Sequence, residues 1–151
     1  YYKKTRTIVQ SKFLKELVPI INNLSVETLD NLLLFYSENC KFSDPFHYVV
    51  GKKSIHKIYN SMFINLVNPR FLVTKTIFSE SEVVIKWVFS FKKNRKTKET
   101  NINGCSYLSI NNEGLILTHE DFWDGSEFFA AYFPFNVPIE WAKSNVRKKI
   151  Q

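Results

Sequence analysis

Apolar residues recur along this chain at two different spacings, helical in its first half and strand-like after Pro69. Phe13, Leu14, Leu17 and Val18 set a first helical stretch, which Pro19 and Asn22-Asn23 are expected to interrupt. Ser25 is placed as an N-cap, with Leu24 and Leu29 spaced for a hydrophobic staple. Val26, Leu29, Leu32, Leu33 and Tyr36 then continue at helical spacing. A short strand from Cys40 is expected to end at Pro45. After Gly51, residues Ile55, Ile58, Tyr59, Met62, Phe63 and Leu66 line one face of a third helix, the cleanest amphipathic pattern in the chain.

Beyond Pro69 the period drops to two. Val83, Ile85, Trp87, Phe89 and Phe91 alternate with Val84, Lys86, Val88, Ser90 and Lys92, giving one continuously apolar strand face. Residues 71–78 and 100–110 read as strands on either side of it, and Asn111-Asn112-Glu113-Gly114 as a tight turn. In the last strand Leu115, Leu117, His119, Asp121 and Trp123 are assigned to one face, and Glu120, Phe122 and Asp124 to the other. Residues 125–133 return to helix, and after Pro134 and Pro138 a basic tail helix is expected from about residue 139. Helices followed by consecutive antiparallel strands point to an α+β fold with a strongly curved sheet.

Composition narrows the class. The 151 residues suit a single domain, and 44% hydrophobic against 23% charged is too apolar for disorder. Aromatic residues reach 16%, with 14 Phe, 7 Tyr and 3 Trp. No apolar run is long enough for a membrane span, and no glycine-rich phosphate loop or internal repeat occurs. The start, Tyr1-Tyr2-Lys3-Lys4, has no secretory pattern; it also lacks Met, which leaves room for an upstream segment. Cys40 and Cys105 make no disulfide framework and read as reduced thiols of a cytoplasmic protein. The three His show no ligand spacing, so neither a metal nor another cofactor is expected.

The net charge of +7 is concentrated. Thirteen of the 21 Lys and Arg residues fall in 1–12, 92–98 and 143–149. The loop from Lys92 to Lys98 lies between two strands and reads as a solvated hairpin tip. Its nearest aromatics, Phe89 and Phe91, belong to a buried face, so nucleic acid is not the expected partner. The tail from Val137 to Ile150, with Trp141 and four cations, allows peripheral contact with an anionic membrane or docking on its own domain.

Two carboxylates stand out. Asp121 lies mid-strand on an apolar face, where an ionised group must be hydrogen-bonded or functional, and His119 is its nearest partner. Asp44 sits in Phe42-Ser43-Asp44-Pro45-Phe46-His47, as a turn former before proline or as a functional acid.

These residues carry a resemblance. Leu29-Asp30 with Phe35-Tyr36, then Phe42-x-Asp44-Pro45, Gly51-x-x-x-Ile55 and Gly114-x-Ile116-x-x-His119-Glu120-Asp121-Phe122-Trp123-Asp124, resemble the nuclear transport factor 2-like superfamily, most nearly its SnoaL-like, ketosteroid isomerase-related group. The resemblance covers residues 24–133, leaving 1–23 as an N-terminal helical extension and 134–151 as the basic tail. It implies a cone: helices closing a curved antiparallel sheet around an apolar pocket, commonly as a homodimer through the outer sheet face. Phe42, Tyr59, Phe63, Trp87, Phe89 and Trp123 would then line the pocket.

The resemblance also assigns roles. Asp44 falls on the general base of ketosteroid isomerases, but their oxyanion Tyr falls near Ile20 and their protonated Asp near Cys105 or Ser106, so those donors are absent or weak. Asp121 falls on an Asp that limonene epoxide hydrolases use in proton transfer. Their further Arg and Asp have no counterpart in Ile85-Lys86-Trp87-Val88-Phe89. A cyclase-like reaction asks less: an acid/base such as Asp121, tuned by His119, and a shaped cavity. Three readings stay open: an isomerase, cyclase or lyase using Asp44, Asp121 and His119; a non-catalytic binder of a small apolar molecule; and a dimeric interaction domain filled by its own aromatics.

Overall fold

The computed structural model describes residues 2–132 and 134–149, with side chains from residue 12 onward. The first residue Tyr1, Phe133, and the tail's last residues Ile150 and Gln151 lie outside the described residues, as do the side chains of the N-terminal cations before Lys12.

The alternating run forms β4 (Glu82–Lys92), and its five inward residues, Val83 through Phe91, are all buried. β3 (Val67–Ser79) and β5 (Thr100–Ile110) flank it antiparallel, β3 joined to it by Glu80-Ser81 and β5 by a longer tip that carries the basic 92–98 segment. Asn94 shapes that tip: its Oδ1 accepts from Lys96 N and Thr97 N. β6 (Ile116–Trp123) returns along β5 after the turn at Asn111, where Gly114 takes a φ of +81°.

The sheet continues past β6. β1 (Tyr36–Ser43) runs parallel to β6 and carries β2 (Tyr48–Val50) on its outer edge, giving the order β2-β1-β6-β5-β4-β3 in a curved, unclosed sheet. The expected succession of helices and then antiparallel strands is thus amended: two strands precede the third helix, and one pairing is parallel. Three helices, α1 (Tyr2–Asn22), α2 (Leu29–Leu33) and α3 (Lys52–Asn65), cover the inner side, α1 against β3 and α3 against β1 and β3.

Five local expectations are corrected. Pro19 does not interrupt the first helix but lies inside α1. It forfeits one helical hydrogen bond, while burial of Phe13 and Leu17 holds the helix to the core and the Pro19 carbonyl still accepts from Asn23 N at 3.1 Å. The second helix is only five residues long: Ser25 spends its hydroxyl on Glu27 (2.6 Å) instead of capping, residues 26–28 form a turn, and Tyr36 already belongs to β1. Leu24 and Leu29 are nevertheless both buried.

In β6 the alternation breaks. Ser109 stands opposite Thr118 but Ile110 opposite Ile116, so Leu117 is the extra residue of a bulge. Ile116 therefore joins His119 on the core side; Leu117 is exposed and Leu115 does not continue the inward face. Finally, α4 (Gly125–Ala130), capped by Asp124 accepting from Ser126 N, is shorter than 125–133. α5 (Asn136–Lys148) starts before residue 139 because Pro138 fits its first turn, where no N–H is needed.

Candidate functional site

Mid-way along β6, Asp121 points between the sheet and the helices, and it has the donors an inward carboxylate requires. Ser106, opposite it on β5, donates to Oδ1 at 2.5 Å, and His119 Nε2 lies 2.7 Å from the same oxygen. Behind each partner stands another. Trp87 Nε1 donates to Ser106 Oγ at 2.9 Å, and Tyr36 on β1 meets His119 Nδ1 at 2.6 Å. Tyr36 O–H to Nδ1 and Nε2–H to the carboxylate is the assignment that satisfies every group. Both bonds fall on Oδ1, which leaves Oδ2 without a hydrogen-bond donor among the described residues.

Asp121 closes the inner end of a cavity of about 270 Å³. Phe42, Phe71, Trp87, Phe89, Trp123 and Phe128 form its walls, Ile58, Tyr59 and Met62 approach from α3, and Asp44 and His47 stand at the β1 end. A crevice of about 30 Å³ lies behind it, bounded by Tyr36, Ser106 and His119 and sharing Tyr59, Trp87 and Asp121 with the larger space. His119 therefore touches the carboxylate from behind and does not line the main cavity.

Burial governs the other protons of this region. It pushes the Tyr36 and Tyr59 hydroxyls well above the ordinary tyrosine range, with the nearby Asp121 charge adding to the effect, and it raises the Cys40 thiol to about 12. All three are held protonated in the fold. A group whose folded pKa is raised stabilises the fold fully below its unfolded value and loses that contribution as pH rises toward the folded one. The urea midpoint is therefore expected to fall as pH rises from about 9 toward 12. Cys40→Ala should flatten the first part of that decline.

Five of the six expected pocket residues, Phe42, Tyr59, Trp87, Phe89 and Trp123, line the cavity. Phe63 does not: α3 turns the stripe through Ile58, Met62 and Asn65 to the cavity, and Phe63, at its edge, packs on the core. Asp44 lines the cavity too, but its carboxylate serves its own turn. Oδ1 accepts from Phe46 N and His47 N, both at 2.7 Å, and His47 Nδ1 lies 2.9 Å away. Of the two positions matched to the missing isomerase Asp, Ser106 faces inward and Cys105 outward.

Tyr36 and Ser106 were not legible as parts of one site. Counting outward from a regular four-residue turn sets Ser106 opposite His119; the longer connection and the bulge put it opposite Asp121. Among the described residues, no three His, Cys, Asp or Glu side chains converge as metal ligands do.

A curved six-stranded sheet with helices on its inner side is the fold of nuclear transport factor 2-like and ketosteroid isomerase-like solved structures. Residues 21–119 match the family model of the SnoaL-like domain, and the chain belongs to that family. Among solved structures it is similar to an NTF2-like protein of unknown function from Burkholderia pseudomallei (TM-score 0.71, 12% identity, 83% of this chain and 98% of that one). A hypothetical protein with a ketosteroid isomerase-like fold from Catenulispora acidiphila, solved in complex with trimethylamine, gives 0.67 at 13% identity, covering 79% and 90%. An LEH-like epoxide hydrolase of M. tuberculosis gives 0.62 at 11%, covering 87% and 94%. At these identities the likeness is one of fold. No curated protein matches the sequence.

Proposed function

We propose that this protein binds a small, largely apolar molecule in the aromatic cavity and moves a proton on it through Asp121, as an isomerase, cyclase or lyase does. The observation that carries this reading is the division of labour within one carboxylate: Oδ1 is anchored from behind by Ser106 and His119, and Oδ2 is left for a ligand. Anchoring of this kind holds a general acid or base in place without consuming its reactive oxygen. Tyr59, kept protonated by burial and hydrogen-bonded to Tyr36, presents its hydroxyl oxygen on the α3 wall, where it can accept from a ligand donor. His119 positions Asp121, and Asp44 is the second proton carrier, working beside His47 at the β1 end. A volume of about 270 Å³, just below the usual range of about 300–1,000 Å³, suits a compact ligand.

The engagement of Asp44 in its turn favours a second reading, a binder that does no chemistry, because it leaves one unencumbered carboxylate where two were expected. Native mass spectrometry of gently purified protein, followed by organic extraction, tests both. A co-purified apolar molecule that wild type converts and Asp121→Asn retains unchanged supports the first. Equal retention by wild type, Asp121→Asn and Asp44→Asn, with no conversion, supports the second. A ligand-free protein that no apolar compound stabilises sinks both and favours the self-filled domain.

The same proposal includes a cytoplasmic homodimer. Leu72, Ile77 and Phe122 are exposed on the outer sheet face, the last two in a groove with Val84 and Cys105. Phe122→Glu is expected to convert a dimer to a monomer in light scattering with little loss of fold, and an unchanged mass would remove this face as the interface.

A further inference from the structure

The aromatic lining does not stop at the cavity. Phe46, itself a lining residue, packs edge-on against two other wall residues, Trp123 at 5.1 Å and Phe128 at 5.7 Å between ring centres. It also touches Phe129 at 5.3 Å, and Phe129 meets Phe135 at 6.2 Å, at the start of α5. Phe46, Phe129 and Phe135 are each about half exposed, and the apolar track then runs onto α5, where Val137 and Trp141, one turn apart, are 61% and 69% exposed. Side chains of this size rarely stand together in water without a partner.

Positive charge surrounds the track. Lys148 falls within about 40° of Val137 and Trp141 around the α5 axis, with Arg147 and Lys149 next to it. Lys93 stacks 4.5 Å over the ring of Tyr132, itself a cavity-lining residue, which brings the basic 92–98 tip with its exposed Arg95, Lys96 and Lys98 to the same end of the molecule. Of the acids at this end, Asp124 is paired with Lys143 and Glu140 with Arg147; Glu127 lies in the first turn of α4.

We propose that this end of the molecule docks on an anionic membrane surface, with Trp141, Val137 and Phe135 entering the headgroup region and the cations of α5 and the 92–98 tip facing the lipid phosphates. The combination is that of an interfacial amphipathic helix, in which modest apolar burial and attraction to anionic lipid act together, and Trp is the side chain best suited to that boundary. Charge decides between occupants. A second copy would set one cationic patch against another. A nucleic acid needs free ring faces on which to stack its bases, whereas Phe46, Phe129 and Phe135 are packed at steep angles on one another and on Trp123 and Phe128. The docking surface stands independently of Asp121; only the corollary, that the docked cavity takes its ligand from the bilayer, rests on the proposed function.

The test is co-sedimentation of the full chain with vesicles of phosphatidylcholine alone, or with about 30% phosphatidylglycerol. Binding at least about tenfold tighter to the anionic vesicles is expected, since each cation at such a surface contributes roughly a fivefold factor. Lys148→Glu with Lys149→Glu should weaken it about 20-fold or more, and Trp141→Ala about tenfold, with melting unchanged because these side chains are exposed. No sedimentation, equal binding to neutral vesicles, or indifference to Trp141→Ala overturns the proposal. So does displacement of the vesicles by an RNA homopolymer whose binding survives Trp141→Ala, or a dimer that Trp141→Ala dissolves. Asp121→Asn must bind vesicles as wild type does. Vesicle binding by a protein that neither retains nor converts any apolar ligand leaves the membrane surface standing and removes only the reading of the cavity.

Discussion

Replacing Asp121 by Leu should cost the fold about 2–6 kcal/mol, whereas replacing it by Asn should cost less than about 1 kcal/mol and still abolish turnover. The contrast follows from which atoms each side chain keeps. Leu leaves the Ser106 hydroxyl and the His119 Nε2–H without an acceptor in a nearly buried position, and an unmet buried donor costs about 1–3 kcal/mol. Asn retains an oxygen in the Oδ1 position for both donors and loses only the ability to take up a proton at the oxygen facing the cavity. Urea unfolding reads the first effect, and conversion of the extracted ligand the second. If Asn destabilises as much as Leu, the carboxylate is structural and the catalytic proposal fails. Asn that turns over normally removes Asp121 as the proton carrier.

Gly104→Ala should destabilise the protein by about 2–4 kcal/mol, a large effect for one methyl group. Gly104 sits opposite Trp87 in the β4–β5 pairing, and the indole lies across it. A methyl there would stand 2.6 Å from Trp87 Cζ3 and 2.7 Å from Cζ2, and closer still to Cη2. The ring has little freedom to retreat. Its Nε1 is bonded to Ser106, its far side packs edge-on to Phe71 at 5.4 Å, and it is buried. Overpacking of about 1–3 kcal/mol is then joined by loss of the Trp87–Ser106 bond, and Ser106 is a direct support of Asp121. A double-mutant cycle checks the mechanism: in a Trp87→Leu background the same methyl should cost less than about 1 kcal/mol. Additive effects would show that the indole is not what the methyl meets.

How far the sequence could be read depended on whether one period held over enough residues. In β4 five inward side chains alternate without exception, and the strand, its burial and its neighbours were legible. The same is true of α3, whose face repeats through three turns. Where a pattern served two structures it misled: Leu32, Leu33 and Tyr36 fit helical spacing, yet Tyr36 opens a strand, held there by its pairing with Ile116 and its bond to His119 across the sheet. The phase of β6 was lost at Leu117, since a bulge has no signature in a strict alternation. In the site, Asp121 with His119 was visible because the two are neighbours on one strand. Tyr36 and Ser106 were not, because their partners are set by pairing across the sheet.

The parallel pairing of β1 with β6 has a consequence for the order in which the molecule can be completed. Tyr36 and its partner His119 are 83 residues apart, and apart from the three-residue β2, the strand that pairs with β1 is the last of the sheet to be synthesised. On a chain emerging from the ribosome, β3 to β5 can zip up as hairpins while β1 waits with its inner edge unpaired. Only the arrival of β6 closes that gap, and the same event delivers the acceptor for the Tyr36 hydroxyl and brings Asp121 opposite Ser106. Contacts of such long range are the slow ones in folding. Closure of the sheet and completion of the carboxylate network thus depend on the same strand: the Trp87–Ser106 bond needs only the β4–β5 hairpin, and its carboxylate acceptor comes with β6.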